Sequence, residues 1–276
     1  MRCDLTTLHK CIALAGALLL TGCQAVNTTG SSAVGVDRKQ YMFSMLSTNE
    51  INQSYAQTYQ ETIQTAQSKG KLDTRSNNAK RLQAIGQRLI AQAGYFRADA
   101  QQWDWQVSLI ESPDLNANCG PGGKIIFYSG IITKLQLTDD EIAAVMGHEI
   151  AHALREHSRE AMSKAYGIEV AKIGLGAVLG VSQDTLALAE TAVEYGMTLP
   201  NSRGAETEAD LLGIELAARA GYNPNAAVSL WNKMEQASQG APAEFMSTHP
   251  SSSTRISNLQ ANIPKVMSLY EQARKR

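Results

Sequence analysis

Cysteine, histidine and aromatic residues are scarce in this chain of 276 residues: four Cys, five His, and Phe, Trp and Tyr together at 6%. An excess of either charge is lacking too, with 25 Lys+Arg against 26 Asp+Glu and a net charge of -1. A nucleic-acid binder would carry a basic excess, so that class is excluded. A disordered polymer would show a larger charge imbalance and fewer apolar residues than the 43% found here. No apolar run approaches the ~20 residues that a bilayer-crossing helix needs. Internal repeats are missing as well. What is present is enough chain, about 250 residues once a targeting segment is set aside, to bury the core of one compact unit.

Residues 1–22 read as an address rather than as fold. Arg2 and Lys10 make a basic start, Cys11 to Leu20 is a short apolar run, and Leu20-Thr21-Gly22-Cys23 follows, the order of parts in a signal peptide. Leu-Thr-Gly-Cys resembles the bacterial lipobox, which implies that Cys23 is lipidated and becomes the mature N-terminus; a plain secretory signal is the alternative. Gln24 in place of Asp resembles the outer-membrane sorting pattern. The expected location is therefore the outer membrane, with the chain anchored in lipid through Cys23 and facing the periplasm. Processing would remove Cys3 and Cys11, leaving Cys119 without a partner for an internal disulfide. Residues 23–47 are polar and aperiodic and are expected to be a flexible, lipid-anchored tether, with 48–276 as the functional domain.

Helical spacing begins at Ser47. Ser47 to Ser68 and Asn77 to Ala93 carry apolar residues three and four apart (Leu82, Ile85, Leu89, Ile90), punctuated by Gly70 and Gly94. Two strands are expected, one from Trp105 through Ile110 and one from Lys124 through Ser129 after the Gly120-Pro-Gly-Gly123 turn. Beyond Thr138 nearly everything is helical. The expected class is α+β, predominantly α, with a small sheet beside a central helix.

The few histidines are placed unevenly. Apart from His9 in the signal, three fall within ten residues, His148, His152 and His157, and the fourth is His249. His148-Glu149-Ile150-Ala151-His152 follows a capping box made by Thr138 and Glu141, and Ile142, Val145, Met146 and Ile150 mark a buried stripe, so the segment is expected to be a helix. Two imidazoles one turn apart on a helix face can bind one zinc ion, and Glu149 beside them can hold a water and take its proton. A solvated surface helix would leave the buried stripe unexplained.

Zinc needs a third protein ligand. Arg155 and Ser158 stand where the pattern His-Glu-x-x-His-x-x-Gly-x-x-His needs glycine and histidine, so that group is excluded. His157, about 140° round a straight helix from His152, is expected to point away and be structural. Glu206 and Asp210 are four apart before a helical run: Glu206 is the expected third ligand, and Asp210 is expected to accept a hydrogen bond from a ligand imidazole. Glu208, rotated by about 200° from Glu206, is expected to be a solvated helix-start acid of no consequence.

With these residues in place the sequence resembles the HtpX-like, CAAX-prenyl-protease-type family of zinc metallopeptidases, and within it the soluble periplasmic lipoprotein branch. The resemblance covers residues 75–262. Besides His-Glu-Ile-Ala-His and Glu206-x-x-x-Asp210 it includes Asn116-Ala117-Asn118-Cys119-Gly-Pro-Gly-Gly, Ser129-Gly-Ile, Ser202-Arg203, Gly221-Tyr222-Asn-Pro224 and Thr248-His249-Pro250 through Arg255. It implies a zincin-like domain with one zinc per chain and a substrate that adds a strand along Asn116, Ala117 and Asn118. Asn118 replaces the aromatic residue of many relatives. The resemblance also implies that His249 can lie near or on the metal in a self-inhibited state, with Arg255 close to the active centre. A helix-capping His249 is the alternative, and Arg255 is expected either to steady the oxyanion or a peptide carbonyl or simply to pair with a carboxylate.

The expected function is zinc-dependent endopeptidase of the cell envelope, acting on unfolded, damaged or misassembled proteins, with outer-membrane assembly machinery as a further partner. A lipid-anchored chaperone or assembly factor with little proteolysis is the second reading, and the intact Glu149 argues against it. Ile173 to Val181 is short and apolar and reads as close helix packing, with a lid or membrane-dipping element as the alternative. Cys119 reads as a packing residue.

Overall fold

The computed structural model describes residues 23–44, 46–178, 202–238, 244–249 and 253–275. Residues 1–22 lie outside these. So does the end of the 173–181 stretch, whose backbone is helical through Val178.

The site is built on a central helix, α4 (Asp139–Leu154), opened by the expected capping box: Thr138 Oγ1 accepts from the Glu141 N–H, and the Glu141 carboxylate accepts from the Thr138 N–H. The box pins the N-terminus and three acids in the first turn suit the helix dipole. Ile142, Val145, Met146 and Ile150 are fully buried. Four helices complete the core around it. They are α2 (Asn77–Phe96), α6 (Arg203–Arg219), α7 (Ala226–Ala237) and α9 (Ser253–Arg274). α2 runs through Gly94 to Phe96, past the expected end, because Ala93 and Phe96 are buried in the core. The closest helix pair is α4 with α6. Gly147 and Gly213 face each other so tightly that a Cβ on Gly213 would stand 2.9 Å from the His148 backbone nitrogen.

The sheet has the order β3–β4–β6–β5, from Leu72–Asp73, Gln106–Ile110, Lys124–Tyr128 and Ala117–Gly120. β4 and β6 are parallel and β6 pairs antiparallel with β5, with Asn118 opposite Ile126. β5 is thus an edge strand, the position expected for Ala117 and Asn118, with Asn116 just ahead of it. Alternation sorts the faces. Leu109, Ala117, Cys119, Ile125 and Phe127 join the main core, while Ile110 and Ile126 form a smaller cluster under α1 (Thr48–Ser68) with Tyr59 and Ala66. Tyr55 of α1 donates to Asn118 Oδ1 at 3.2 Å. α3 (Ser129–Lys134) links the sheet to α4.

The described residues 23–44, within the expected tether 23–47, are not the free chain that their polarity suggests. β1 (Cys23–Val26) and β2 (Gln40–Phe43) form an antiparallel hairpin. Val34, Val36, Met42 and Phe43 are buried, and the Ala33 N–H donates to Glu215 Oε2 at 2.7 Å. Polar composition misleads here because the segment docks largely through hydrogen bonds to buried charged groups.

Candidate active site

His148 and His152 project from one face of α4, and Glu206 reaches them from the first turn of α6, where Ser202 caps the helix. The fourth group is His249, just after the short helix α8 (Glu244–Thr248), whose N–H donates to the Phe245 carbonyl at 2.8 Å. The His249 ring stacks on Phe245 with centroids 4.4 Å apart.

The donor atoms converge. His148 Nε2 lies 3.1 Å from His152 Nε2, 3.3 Å from His249 Nδ1 and 3.4 Å from Glu206 Oε2. Glu206 Oε1 lies 3.3 Å from His152 Nε2 and 3.0 Å from His249 Nδ1. Donors on a tetrahedral zinc with bonds of ~2.0–2.1 Å stand about 3.4 Å apart, so three imidazoles and one carboxylate at these spacings suit that ion. The charges point the same way. Burial works against a charged His148, yet Asp210 and Glu206 raise it to about 9, so a cation is wanted where the proton sits. Burial drives His152 well below its ordinary range and leaves it a neutral donor. Burial would also raise Glu206, but its bonds from His148, His152 and His249 hold it far below the carboxylate range.

Supports stand behind the donors. His148 Nδ1 stands 3.1 Å from Asp210 Oδ1, within ion-pair distance but without the aligned hydrogen bond expected of Asp210. Arg255 lies under both acids, donating through Nε and Nη2 to Asp210 at 2.7 Å each and pairing through Nη1 with Glu206 Oε2 at 2.6 Å. Its guanidinium also rests on the Trp231 ring at 3.8 Å. Of the two roles weighed for Arg255, the geometry supplies carboxylate pairing.

Glu149 is buried, and its Oε1 has no hydrogen-bond partner among the described residues, standing 3.4 Å from His249 Nε2. Burial pushes its carboxyl up, against the pull of His249 and His148, while the Cys119 N–H of the edge strand bonds to it. Cys119 itself is buried and free, and burial pushes its thiol well up, as fits a packing residue.

Two neighbouring residues stand behind the donors. His157 is buried and outside the donor cluster, but it packs against the back of a ligand, with its Nδ1 2.8 Å from His152 Nδ1. The helix is not straight here, since α4 ends at Leu154, Glu156 takes a left-handed φ of 50°, and α5 (His157–Val178) starts afresh. Glu208 is buried, not solvated, and accepts from His157 Nε2 at 3.1 Å and Arg155 Nε at 2.9 Å. The arginine at 155, which excluded one ligand pattern, was a signal of this acid's buried partner.

A model of Peptidase family M48 matches residues 76–263. The mitochondrial metalloendopeptidase OMA1 of Saccharomyces cerevisiae is 34% identical over 179 residues, covering 61% of this chain and 50% of that protein. The metalloprotease LoiP of Escherichia coli is 27% identical over 258 residues, covering 90% of this chain and 94% of that one. A β-barrel assembly-enhancing protease of Yersinia pestis is 27% identical over 189 residues, 64% of this chain and 37% of the relative. The chain spans half or less of the fungal and plant OMA1 proteins that it matches. The family match covers most of the chain and encloses His148, Glu149, His152, Glu206, Asp210, His249 and Arg255. As its motifs implied, this chain belongs to peptidase family M48.

Proposed function

We propose that the protein is a zinc endopeptidase of the bacterial cell envelope in which His148, His152 and Glu206 hold the metal and Glu149 is the general base. The observation that carries this reading is the convergence of buried donors beside a buried carboxylate with an open acceptor, Glu149 Oε1. Zinc bound here would polarise a peptide carbonyl and lower the pKa of a neighbouring water. Glu149 Oε1 takes the proton of the attacking water and returns it to the leaving amine, a task that a raised carboxyl pKa suits. Asp210 fixes the tautomer of His148, and Arg255 holds Asp210 and Glu206 in place. The edge strand β5 offers its backbone to an extended substrate, which favours unfolded, damaged or misassembled chains. The lipobox ending at Cys23 supports anchoring in outer-membrane lipid, and the printed name of the Yersinia relative supports outer-membrane assembly machinery as a partner.

His249 closes the site. His148, His152, Glu206 and His249 are each 7% exposed or less, too little to admit a peptide. The His249 ring lies between the donors and Glu149, where an attacking water would stand.

Zinc analysis combined with casein digestion tests the assignment. His148→Ala, His152→Ala and Glu206→Ala are expected to lose stoichiometric zinc, and Glu149→Gln to keep zinc and lose turnover by at least a hundredfold. Full zinc in Glu206→Ala would remove that ligand. Equal casein digestion by Glu149→Gln and wild type would remove Glu149 as the base, and no digestion by the zinc-loaded wild type would sink the protease reading in favour of the lipid-anchored chaperone.

A further inference from the structure

The contacts behind His152 form a directed chain that leads out of the matched family block and into the N-terminal segment. His157 Nδ1 and His152 Nδ1, 2.8 Å apart, can share one proton only. The other nitrogen of His157 faces Glu208 Oε2, an ionised acceptor, so it carries hydrogen. His157 Nδ1 is then the acceptor, His152 Nδ1 is the donor, and the lone pair of His152 is left on Nε2, the atom that faces His148 and Glu206. Reversing the chain would place hydrogen on His152 Nε2 and abolish it as a ligand.

Glu208 in turn is held by two arginines. Arg155, with no exposure at all, donates Nε to Glu208 and spends its remaining donors on the N-terminal segment: Asn27 Oδ1 at 2.7 Å, Thr29 Oγ1 at 3.1 Å and the Arg38 carbonyl at 2.7 Å. Arg38 bonds Glu208 through Nε and Nη2 and forks onto Glu160 at 2.8 Å through both terminal nitrogens. Gln40 reaches the Arg155 carbonyl and, at 3.1 Å, Glu160. A buried carboxylate with this many donors is fixed in place and stays ionised.

We propose that residues 27–43 are a working part of the metal centre: acting through Arg38 and Arg155 they hold Glu208, which with His157 locks His152 in its metal-binding tautomer. Arg38, Glu208 and His157 are positioning residues, since none touches the site of reaction. The proposal rests on His152 being a ligand, as assigned above.

The test uses the full-length protein loaded with zinc, and in parallel with cobalt, whose visible spectrum reports ligand geometry. Glu208→Ala and His157→Ala are expected to release zinc to a chelator tenfold faster or more, in line with the loss of outer partners of metal ligands, and to shift the cobalt bands. Arg38→Ala, altered at a side chain 36% exposed and so expected to fold, should speed release severalfold. Arg38→Lys, which keeps the charge, should recover part of it. Glu215→Gln is the control. It weakens the docking of the same segment at Ala33 without touching the chain to His152, so it should lower Tm and leave zinc release and cobalt spectrum unchanged. Zinc release and spectra like wild type in Glu208→Ala and His157→Ala, or in Arg38→Ala should those two not fold, overturn the proposal. A Glu215→Gln that disturbs the metal as much as Arg38→Ala overturns it too, by reducing the effect to general stability. Zinc retained by His152→Ala would overturn that ligand assignment and this inference with it, whereas zinc lost there and held normally by Arg38→Ala and Glu208→Ala overturns the inference alone.

Discussion

His249 spans the two halves of the site, with Nδ1 among the metal-facing donors and Nε2 toward Glu149. On the proposed assignment, an imidazole in that position both fills the space of the attacking water and stands in front of the base, Glu149. Activity then depends on the fraction of molecules in which the residue has moved away, and each 1.4 kcal/mol of preference for the closed form lowers that fraction about tenfold. His249→Ala is expected to raise hydrolysis of an unfolded substrate severalfold at unchanged zinc content, because His148, His152 and Glu206 remain. A fall in kcat at constant KM would instead make His249 a donor to the transition state, and the opposite signs let one rate comparison decide. On the reading that His249 closes the site, the Phe245 ring stacked on it helps to hold the closed form. Phe245→Ala should therefore activate in the same direction, with a smaller gain.

At the scale of elements the site depends on how closely α4 and α6 approach. The Gly147–Gly213 contact brings Glu206 and Asp210, two turns and one turn ahead of Gly213, within reach of imidazoles on α4. A methyl group on Gly213 would meet backbone at 2.9 to 3.1 Å, at His148 N, Gly147 C and His148 Cα, and backbone inside a buried helix pair cannot swing aside. Gly213→Ala should force the helices apart, cost about 1–3 kcal/mol as overpacking does, and weaken zinc retention, read by thermal melting and zinc analysis. Gly120→Ala separates the two effects: its methyl group would strike the Tyr55 ring, which belongs to α1 on the other face of the sheet. That variant should lose stability with zinc retained. The capping box, the buried stripe of α4 and the pair Glu206 and Asp210 were legible in the sequence because each is a local pattern fixed by helix geometry. His157 and Glu208 were not, because rotation angles along a straight helix say nothing of a break at Glu156, and because the partners of Glu208, at positions 38, 155 and 157, are distant in sequence or lie beyond that break.

For the whole molecule, the N-terminal segment fastens onto the catalytic core by buried charge, and this makes attachment depend on pH. Burial alone would raise the Glu160 and Glu208 carboxyls. For Glu160 the bonds from Arg38, Lys164 and Gln40 outweigh it, and for Glu208 those from His157 and Arg38 do, so that each is held at about 2. Both values lie below the ~4.3 of a glutamate in an unfolded chain, so unfolding takes up protons in acid. The stabilisation is therefore complete above about pH 4.5 and is lost as pH falls toward about 2. The share of Tm that these two acids carry should hold down to about pH 4.5 and be lost below it. Burial also holds His152 and His157 below their ordinary range, so their protonation favours unfolding in acid as well, and a fall in Tm alone does not identify its source. Glu160→Gln does, because Glu160 touches Arg38, Gln40 and Lys164 and none of the four donors. Its Tm at pH 7 should be lower than wild type, since Arg38 loses one of its two charged partners, and its decline below pH 4.5 should be shallower, since one proton fewer is taken up on unfolding. Parallel Tm curves for the two proteins across that range would show that Glu160 is not held below its ordinary pKa, and that the segment is attached by its apolar residues instead, with Val34, Val36, Met42 and Phe43 as the contacts to test next.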